Sequence, residues 1–360
     1  MIDFHGHTTE ELKQQFEAEG EKGFRALQVL NWIYEKGVSD FSQITDLSKA
    51  LREKLAHLAP LHSLKVARIS DSKDGETIKF LWELPDKQYV ESVLIYSKQR
   101  RSVCVSSQVG CPARCAFCAS GKQGLFRNLT TSEIVQQVFL IDRWLKAKGE
   151  RVTHVVFMGM GEPFENYDAL VKAIRLLIDA HRLHISQRRI TVSTVGIVPA
   201  IHRFAEEDFK VNLVLSLHAP NQHIRKKIIP YARKYALEEL LQAMLYFSQK
   251  THRDITYEYT LIQGINDAKE QAEELALLIK DHPCTVNLIP YNPIDGIKMQ
   301  RPEKEQIIAF REILQSHGIS TTWRYTKGKD INAACGQLAI KHRLDNSDTS
   351  SSLRPAFQCF

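Results

Sequence analysis

The sequence predicts an α/β fold, a partial (β/α) TIM-like barrel preceded by a small helical accessory domain. Three observations predict it. From residue 102 onward, short apolar runs rich in β-branched residues alternate with longer amphipathic segments, the signature of parallel strands joined by helices. The runs are apolar throughout rather than alternating, as expected of strands covered by helices on one face and by the barrel interior on the other. The first 60 residues carry helical periodicity and no strand-like run.

In chain order, residues 8–19 open on Thr8 and Thr9, place Glu residues in the first turn and stop at Gly20, so they predict a capped helix. The run FRALQVLNWIY (24–34) predicts a second helix with Leu27, Leu30, Ile33 and Tyr34 on one face, and residues 42–58 predict one or two more before the break at Pro60. Between 62 and 107, β-branched and aromatic runs are broken by Asp-Gly and Pro-Asp, which predicts hairpin strands leading into the first barrel strand. Strands are then expected at SVCVSS, THVVFMG, RITVST, VNLVLSLH, DITYEYTL, CTVNLIP and STTWRY, with helices at 131–148, 167–181, 197–206, 236–250, 267–281 and 303–317. The expected division is an accessory domain (1–60), a β-hairpin linker region (61–96), a core barrel (97–330), a C-terminal loop (331–344) and a polar tail (345–360) expected to be disordered.

A chain of 360 residues with 43% apolar and 25% charged residues can bury a large core. The polar N-terminus and the lack of any apolar run of about 18 residues predict neither signal peptide nor membrane span, hence a cytoplasmic protein. Seven cysteines, four of them between Cys104 and Cys118, argue for reduced thiols and metal chemistry rather than a disulfide framework. The net charge of +6 is clumped at 98–101, 182–189 and 224–235, where Lys and Arg lie near aromatic residues, as a phosphate-binding surface requires and as many solvated helix faces also display.

The most informative stretch is Cys111-Pro-Ala-Arg-Cys115-Ala-Phe-Cys118. Three thiolates on one loop can bind three irons of a cubane and leave the fourth open, since no further cysteine follows nearby. The Cys-x-x-x-Cys-x-x-Cys spacing is the pattern by which radical S-adenosylmethionine (SAM) enzymes hold a [4Fe-4S] cluster whose free iron chelates SAM. A zinc site would want a fourth Cys or His at ligand spacing, and the nearest His is His154.

Barrels of this kind do their chemistry at the C-terminal ends of the strands. Read as a ring, those ends carry the three cysteines, then Gly159-Met160-Gly161-Glu162, Ser193-Thr194, Ser216-Leu217-His218, Asn292 and Cys335. Each has an ordinary reading alone, as a turn, a backbone cap or a structural His. Together they form the polar, thiol-bearing rim that a SAM site needs.

The stretches VCVSSQVGCPARCAFCASGKQGLFRNLT, FMGMGEP, STVGI, SLHAP, LIPYNP and AACGQL resemble the RlmN family of dual-specificity RNA adenine C2-methyltransferases, and GFRALQVLNWIY is similar to that family's accessory domain. The resemblance runs to about Ile340, and Ser120 stands where the family more often has Thr. It implies that Cys111, Cys115 and Cys118 ligate the cluster, and that Gly161, Glu162, Ser193, Ser216, Leu217, His218 and Asn292 bind SAM, with two SAM molecules used per turnover. It further implies that Cys335 is the methyl carrier, Cys104 its resolving partner through a transient disulfide, and Glu91 a proton acceptor. From the residues alone, Cys104 reads as a small buried hydrophobe and Glu91 as a solvated carboxylate on a half-exposed strand.

The partners implied are 23S ribosomal RNA, transfer RNA and an electron donor such as a flavodoxin or ferredoxin system. Arg188, Arg189, Lys226 and Lys227 are the residues expected to grip RNA, whereas Cys284 and Cys359 read as structural and incidental. A Cfr-type carbon-8 methyltransferase, a glycyl-radical activase and a plain iron-sulfur electron carrier are the alternatives; GKQGLFRNLT favours the RlmN side of the first pair.

Overall fold

The computed structural model describes residues 2–58, 60–323 and 327–339. The tail at 345–360, with Cys359, lies outside the described residues, as do Arg324 and Tyr325 of the last expected strand.

The helical module is built from α1 (Thr9–Ala18), α2 (Phe24–Tyr34) and α3 (Lys49–Leu58). A capping box starts α1: the Thr8 hydroxyl accepts from the Glu11 amide at 3.2 Å, and the Glu11 carboxylate accepts from the Thr8 amide at 2.6 Å. Helix α2 buries Ala26, Val29, Leu30, Ile33 and Tyr34, whereas Leu27 is only half-buried. The buried stripe is thus wider than the expected face and takes in Ala26 and Val29.

Ten strands form one sheet in the order β1 (Lys65–Asp71), β2 (Thr77–Glu83), β3 (Tyr89–Ser97), β4 (Arg100–Cys104), β7 (His154–Phe157), β8 (Ile190–Thr194), β9 (Asn212–Ser216), β10 (Ile255–Leu261), β11 (Cys284–Pro290) and β12 (Ser320–Trp323). From β4 to β12 every pairing is parallel; β1 to β4 are joined antiparallel. Residues 61–96 therefore supply strands hydrogen-bonded into the barrel sheet rather than set apart from it. The parallel strands are covered by helices α5 (Thr131–Lys146), α6 (Tyr167–Ile178), α7 (Val198–Ala205), α9 (Leu237–Thr251), α10 (Lys269–Ile279) and α11 (Lys304–Ser316), each within a few residues of its expected span. The first and last strands of the sheet do not pair, so the barrel is open.

The accessory helices pack on the barrel as part of one continuous apolar core. Arg182, buried between them, donates to the carbonyls of Phe4 (2.5 Å) and His7 (2.6 Å) and to the Tyr34 hydroxyl (3.1 Å). Among the described residues no helix is long and apolar enough to cross a membrane.

Candidate active site

The cysteine loop is shaped before any cofactor is considered. A two-stranded hairpin, β5 (Gln108–Gly110) and β6 (Leu125–Asn128), brackets it. Gly110 has φ +78, and a Cβ there would lie 1.8 Å from the Gly124 carbonyl oxygen, so only glycine lets the hairpin close. The Cys111 amide then donates to the Gly124 carbonyl at 2.8 Å. Further along, the Ala116 amide donates to Ile228 (2.8 Å) at the end of α8 (Gln222–Ile228), and the Ala119 amide, opening α4 (Ala119–Gln123), donates to Gly336 (2.7 Å). The loop is therefore held from two sides, by α8 and by the C-terminal segment.

Cys111, Cys115 and Cys118 line one cavity of about 850 Å³, open mouth included, together with Gly161, Glu162, Ser193, Ser216, His218, Asn292 and Cys335. Leu217 does not: its side chain is fully buried, and its amide and carbonyl are taken by Glu258 and Arg225. Glu162 is the most constrained polar group. Its carboxylate accepts from the Thr194 hydroxyl (2.7 Å), the Val195 amide (2.8 Å) and the Phe164 amide (3.1 Å), while burial pushes its pKa up to about 7. Ser193 and Ser216 share a hydroxyl contact of 3.2 Å at the ends of adjacent strands. Burial, and then the nearby Arg225 charge, lower His218 to about 3, so it is a neutral ring; its Nδ1 accepts from the Thr260 amide, and Phe117 packs edge-on against it.

The three thiols fit a cubane. Burial raises the pKa of each, and their mutual repulsion adds to the rise at Cys111 and Cys115, so the thiolates need the positive charge of iron to form. They line one cavity; among the described residues no three His, Cys, Asp or Glu side chains form a single-ion site, and a cubane takes one thiolate per iron.

Cys104 and Glu91 sit apart from the cavity wall, on the sheet. Cys104 is opposite Val93 in the β3–β4 register, so Cys104, Val93 and Glu91, two residues along β3, project from one face. Phe80, on the other face of neighbouring β2, packs against Trp144 of α5, so the Cys104 face points inward. Glu91 is buried rather than solvated: Lys79 pairs with it at 2.8 Å and the Ala339 amide donates to it at 3.0 Å. Its expected exposure is overturned because the C-terminal segment, 248 residues away in sequence, covers the strand. That segment is tied down on both sides of Cys335: the Cys335 carbonyl accepts from Asn292 (3.2 Å), and the Leu338 carbonyl accepts from Ser120 (2.5 Å). Lys79 and Arg225 both bear on the site and carried no local motif; only their contacts reveal them, whereas Thr194 already stood in the strand-end ring.

The basic clumps divide. Lys226 and Lys227 are exposed on α8 beside the cavity rim. Arg188 and Arg189 precede β8 and so lie at the N-terminal end of the barrel, away from the mouth, as do the basic residues opening β4. Proximity in sequence to a strand could not tell which rim they occupy. Cys284 likewise opens β11 at the far rim.

Comparison with known proteins bears on the whole chain. Residues 2–61 match the family model "Ribosomal RNA large subunit methyltransferase N-terminal domain", and residues 105–278 match "Radical SAM superfamily". The chain is 59% identical over 342 residues to a protein of Protochlamydia amoebophila named "Probable dual-specificity RNA methyltransferase RlmN 2", covering 95% of this chain and 96% of that one. It is 46% identical to a protein of Geobacillus kaustophilus named "Probable dual-specificity RNA methyltransferase RlmN", covering 94% and 93%. The crystal structure of a radical SAM methyltransferase from Sphaerobacter thermophilus superposes with a TM-score of 0.92 at 44% identity, covering 94% of this chain and 99% of that one.

Proposed function

The chain belongs to the RlmN family of radical SAM methyltransferases, and from that membership we propose that it methylates carbon-2 of adenine in 23S ribosomal RNA at the peptidyl-transferase centre and in transfer RNA next to the anticodon. The observation that carries the reading is a fourth thiol, Cys335, on the same cavity wall as Cys111, Cys115 and Cys118. A SAM site alone needs three thiols; a methyl carrier needs one more.

Adenine carbon-2 is electron-poor and has no acidic proton at neutral pH, so it cannot act as a nucleophile toward a methyl sulfonium. Cys111, Cys115 and Cys118 would hold a [4Fe-4S] cluster and Glu162, Ser193, Ser216, His218 and Asn292 would hold SAM, which when bound would supply a 5′-deoxyadenosyl radical by one-electron cleavage. The chain's own residues do the rest. Cys335, exposed at the mouth, takes a methyl group as thiolate and carries it as a thioether; two SAM molecules are therefore used per turnover. Its carbon, once stripped of a hydrogen, would bond to carbon-2 and crosslink protein to RNA, and the adduct radical would give up its unpaired electron to the oxidised cluster, so that the later steps proceed by electron pairs. Glu91, paired with Lys79 and bonded to the same segment that bears Cys335, accepts the carbon-2 proton. Cys104 then attacks the Cys335 sulfur: an S–S bond forms, the S–CH2 bond breaks, and the departing carbon takes up a proton to become the methyl group. The Cys104–Cys335 disulfide is reduced by an external dithiol, and the electron for SAM cleavage comes from a donor such as a flavodoxin or ferredoxin.

The adenine must be splayed from its stack to reach this mouth. Lys226 and Lys227, exposed on α8, would grip the RNA backbone, and the 1–60 module would serve as the RNA-holding domain. Cys104→Ala should accumulate the Cys335–RNA crosslink, visible as a slow-migrating labelled band. Free methylated RNA at normal turnover from that variant would overturn the assignment.

A further inference from the structure

Arg225 is a buried cation with no anion of its own among the described residues. It is 1% exposed, and its guanidinium donates only to backbone carbonyls: Val195 at 2.5 Å, Leu217 at 3.2 Å and Ser216 at 3.3 Å. It makes no ion pair with any carboxylate among the described residues. Buried charges are ordinarily paired, because one left unpaired has lost its hydration with nothing to replace it. Burial lowers Arg225 to about 10, and among the described residues the ionisable group of opposite sign that acts on it is the Cys115 thiol. The neighbouring His218 is neutral, and Glu162 spends its carboxylate on Thr194, Val195 and Phe164.

Its position is set by the cysteine loop itself. Arg225 lies on α8, three residues before Ile228, whose carbonyl accepts the amide of Ala116, between Cys115 and Phe117. In α8, Arg225 turns inward while Lys226 and Lys227 turn to solvent. The same guanidinium ties the ends of β8 and β9, which carry Ser193 and Ser216.

We propose that Arg225 is the resident counter-charge of the cluster site, raising the reduction potential of the bound [4Fe-4S] cluster and favouring its retention. Three thiolates on an oxidised cubane leave the site net negative, and one added electron makes it more so with no bond formed or broken. A fixed cation in a low-dielectric wall favours the more negative state. The three carbonyls accept from Nε and Nη2 without neutralising the guanidinium, so its charge remains beside the loop. The inference rests on the cluster reading and is independent of the RNA substrate.

The test compares Arg225→Lys, which keeps the charge but cannot span three carbonyls, with Arg225→Gln, which loses both. After anaerobic reconstitution without RNA, the potential is measured by titration with dithionite and viologen mediators, followed by electron paramagnetic resonance. The expected result is a near-parental potential for Arg225→Lys. For Arg225→Gln the added electron should be held about tenfold less tightly, a fall of about 59 mV for a one-electron couple. Equal shifts in both variants, or none in either, would overturn the proposal, since a merely structural role follows the lost carbonyl contacts rather than the lost charge. Should Arg225→Gln keep too little cluster to titrate, iron and sulfide per chain decide: several-fold lower loading than Arg225→Lys supports the counter-charge, and equal loss in both refutes it. A chain that failed to methylate adenine would still give these potentials, so failure of the substrate reading is a separate outcome.

Discussion

Glu162→Gln offers a quantitative check on the electrostatics of the cavity. Burial raises Glu162 from 4.5 to about 7, with the bonds from Val195, Thr194 and Phe164 offsetting part of the rise. A carboxyl whose folded pKa is raised holds its proton in the native state while the unfolded chain has lost it. Stability is therefore highest below the unfolded value and falls as pH rises, levelling off above about 7. The full cost is about 3 kcal/mol at 1.36 kcal/mol per unit, of which about 2.5 kcal/mol falls between pH 5 and pH 8. Other groups titrate in that window too, including His5 and His62, both pushed down by burial, but they are common to parent and variant and cancel in the difference. The assay is urea unfolding of the metal-free, reduced protein at several pH values. The advantage of Glu162→Gln over the parent should grow by about 2.5 kcal/mol from pH 5 to pH 8. Parallel pH profiles would refute the reasoning, and with it the picture of a carboxyl held dry until a cationic ligand arrives.

Gly161 sits at φ +109, and a Cβ there would meet the Ser107 hydroxyl at 2.6 Å and the Gln108 Cβ at 2.7 Å; Gly161→Ala should cost roughly 2 to 4 kcal/mol and weaken SAM binding, as read by denaturation and by equilibrium dialysis of the reconstituted protein. Lys79 and Glu91 form a largely buried pair, so a double-mutant cycle of Lys79→Met and Glu91→Gln should show a coupling of about 1 to 3 kcal/mol; strict additivity would mean that the pair does not anchor the Cys335 segment.

What could be read before the structure depended on whether the signal was local. The seven parallel strands were legible because the hydrophobic period changes at each strand-helix boundary, and the cysteine loop because three ligands fall within eight residues. The β5–β6 hairpin escaped notice because its strands are three and four residues long and its closure depends on Gly110 meeting the Gly124 backbone. Helix α8 was hidden inside what read as a basic clump: seven residues are too few to show amphipathicity, so the inward Arg225 could not be told from its outward neighbours. Glu91 was misjudged as solvated because nothing near it in sequence announces the segment that covers it. Arg188 and Arg189 were expected to grip RNA together with Lys226 and Lys227 because charge composition carries no information about which end of a strand it flanks.

The most direct test of the central claim is anaerobic: the reconstituted protein is given SAM with a trideuterated methyl group and unmodified ribosomal and transfer RNA, and the digested nucleosides are identified by mass spectrometry. A methyl first carried on Cys335 and stripped of one hydrogen before transfer predicts 2-methyladenosine retaining two deuterium atoms. A product retaining all three, or methylated at carbon-8, would contradict the account.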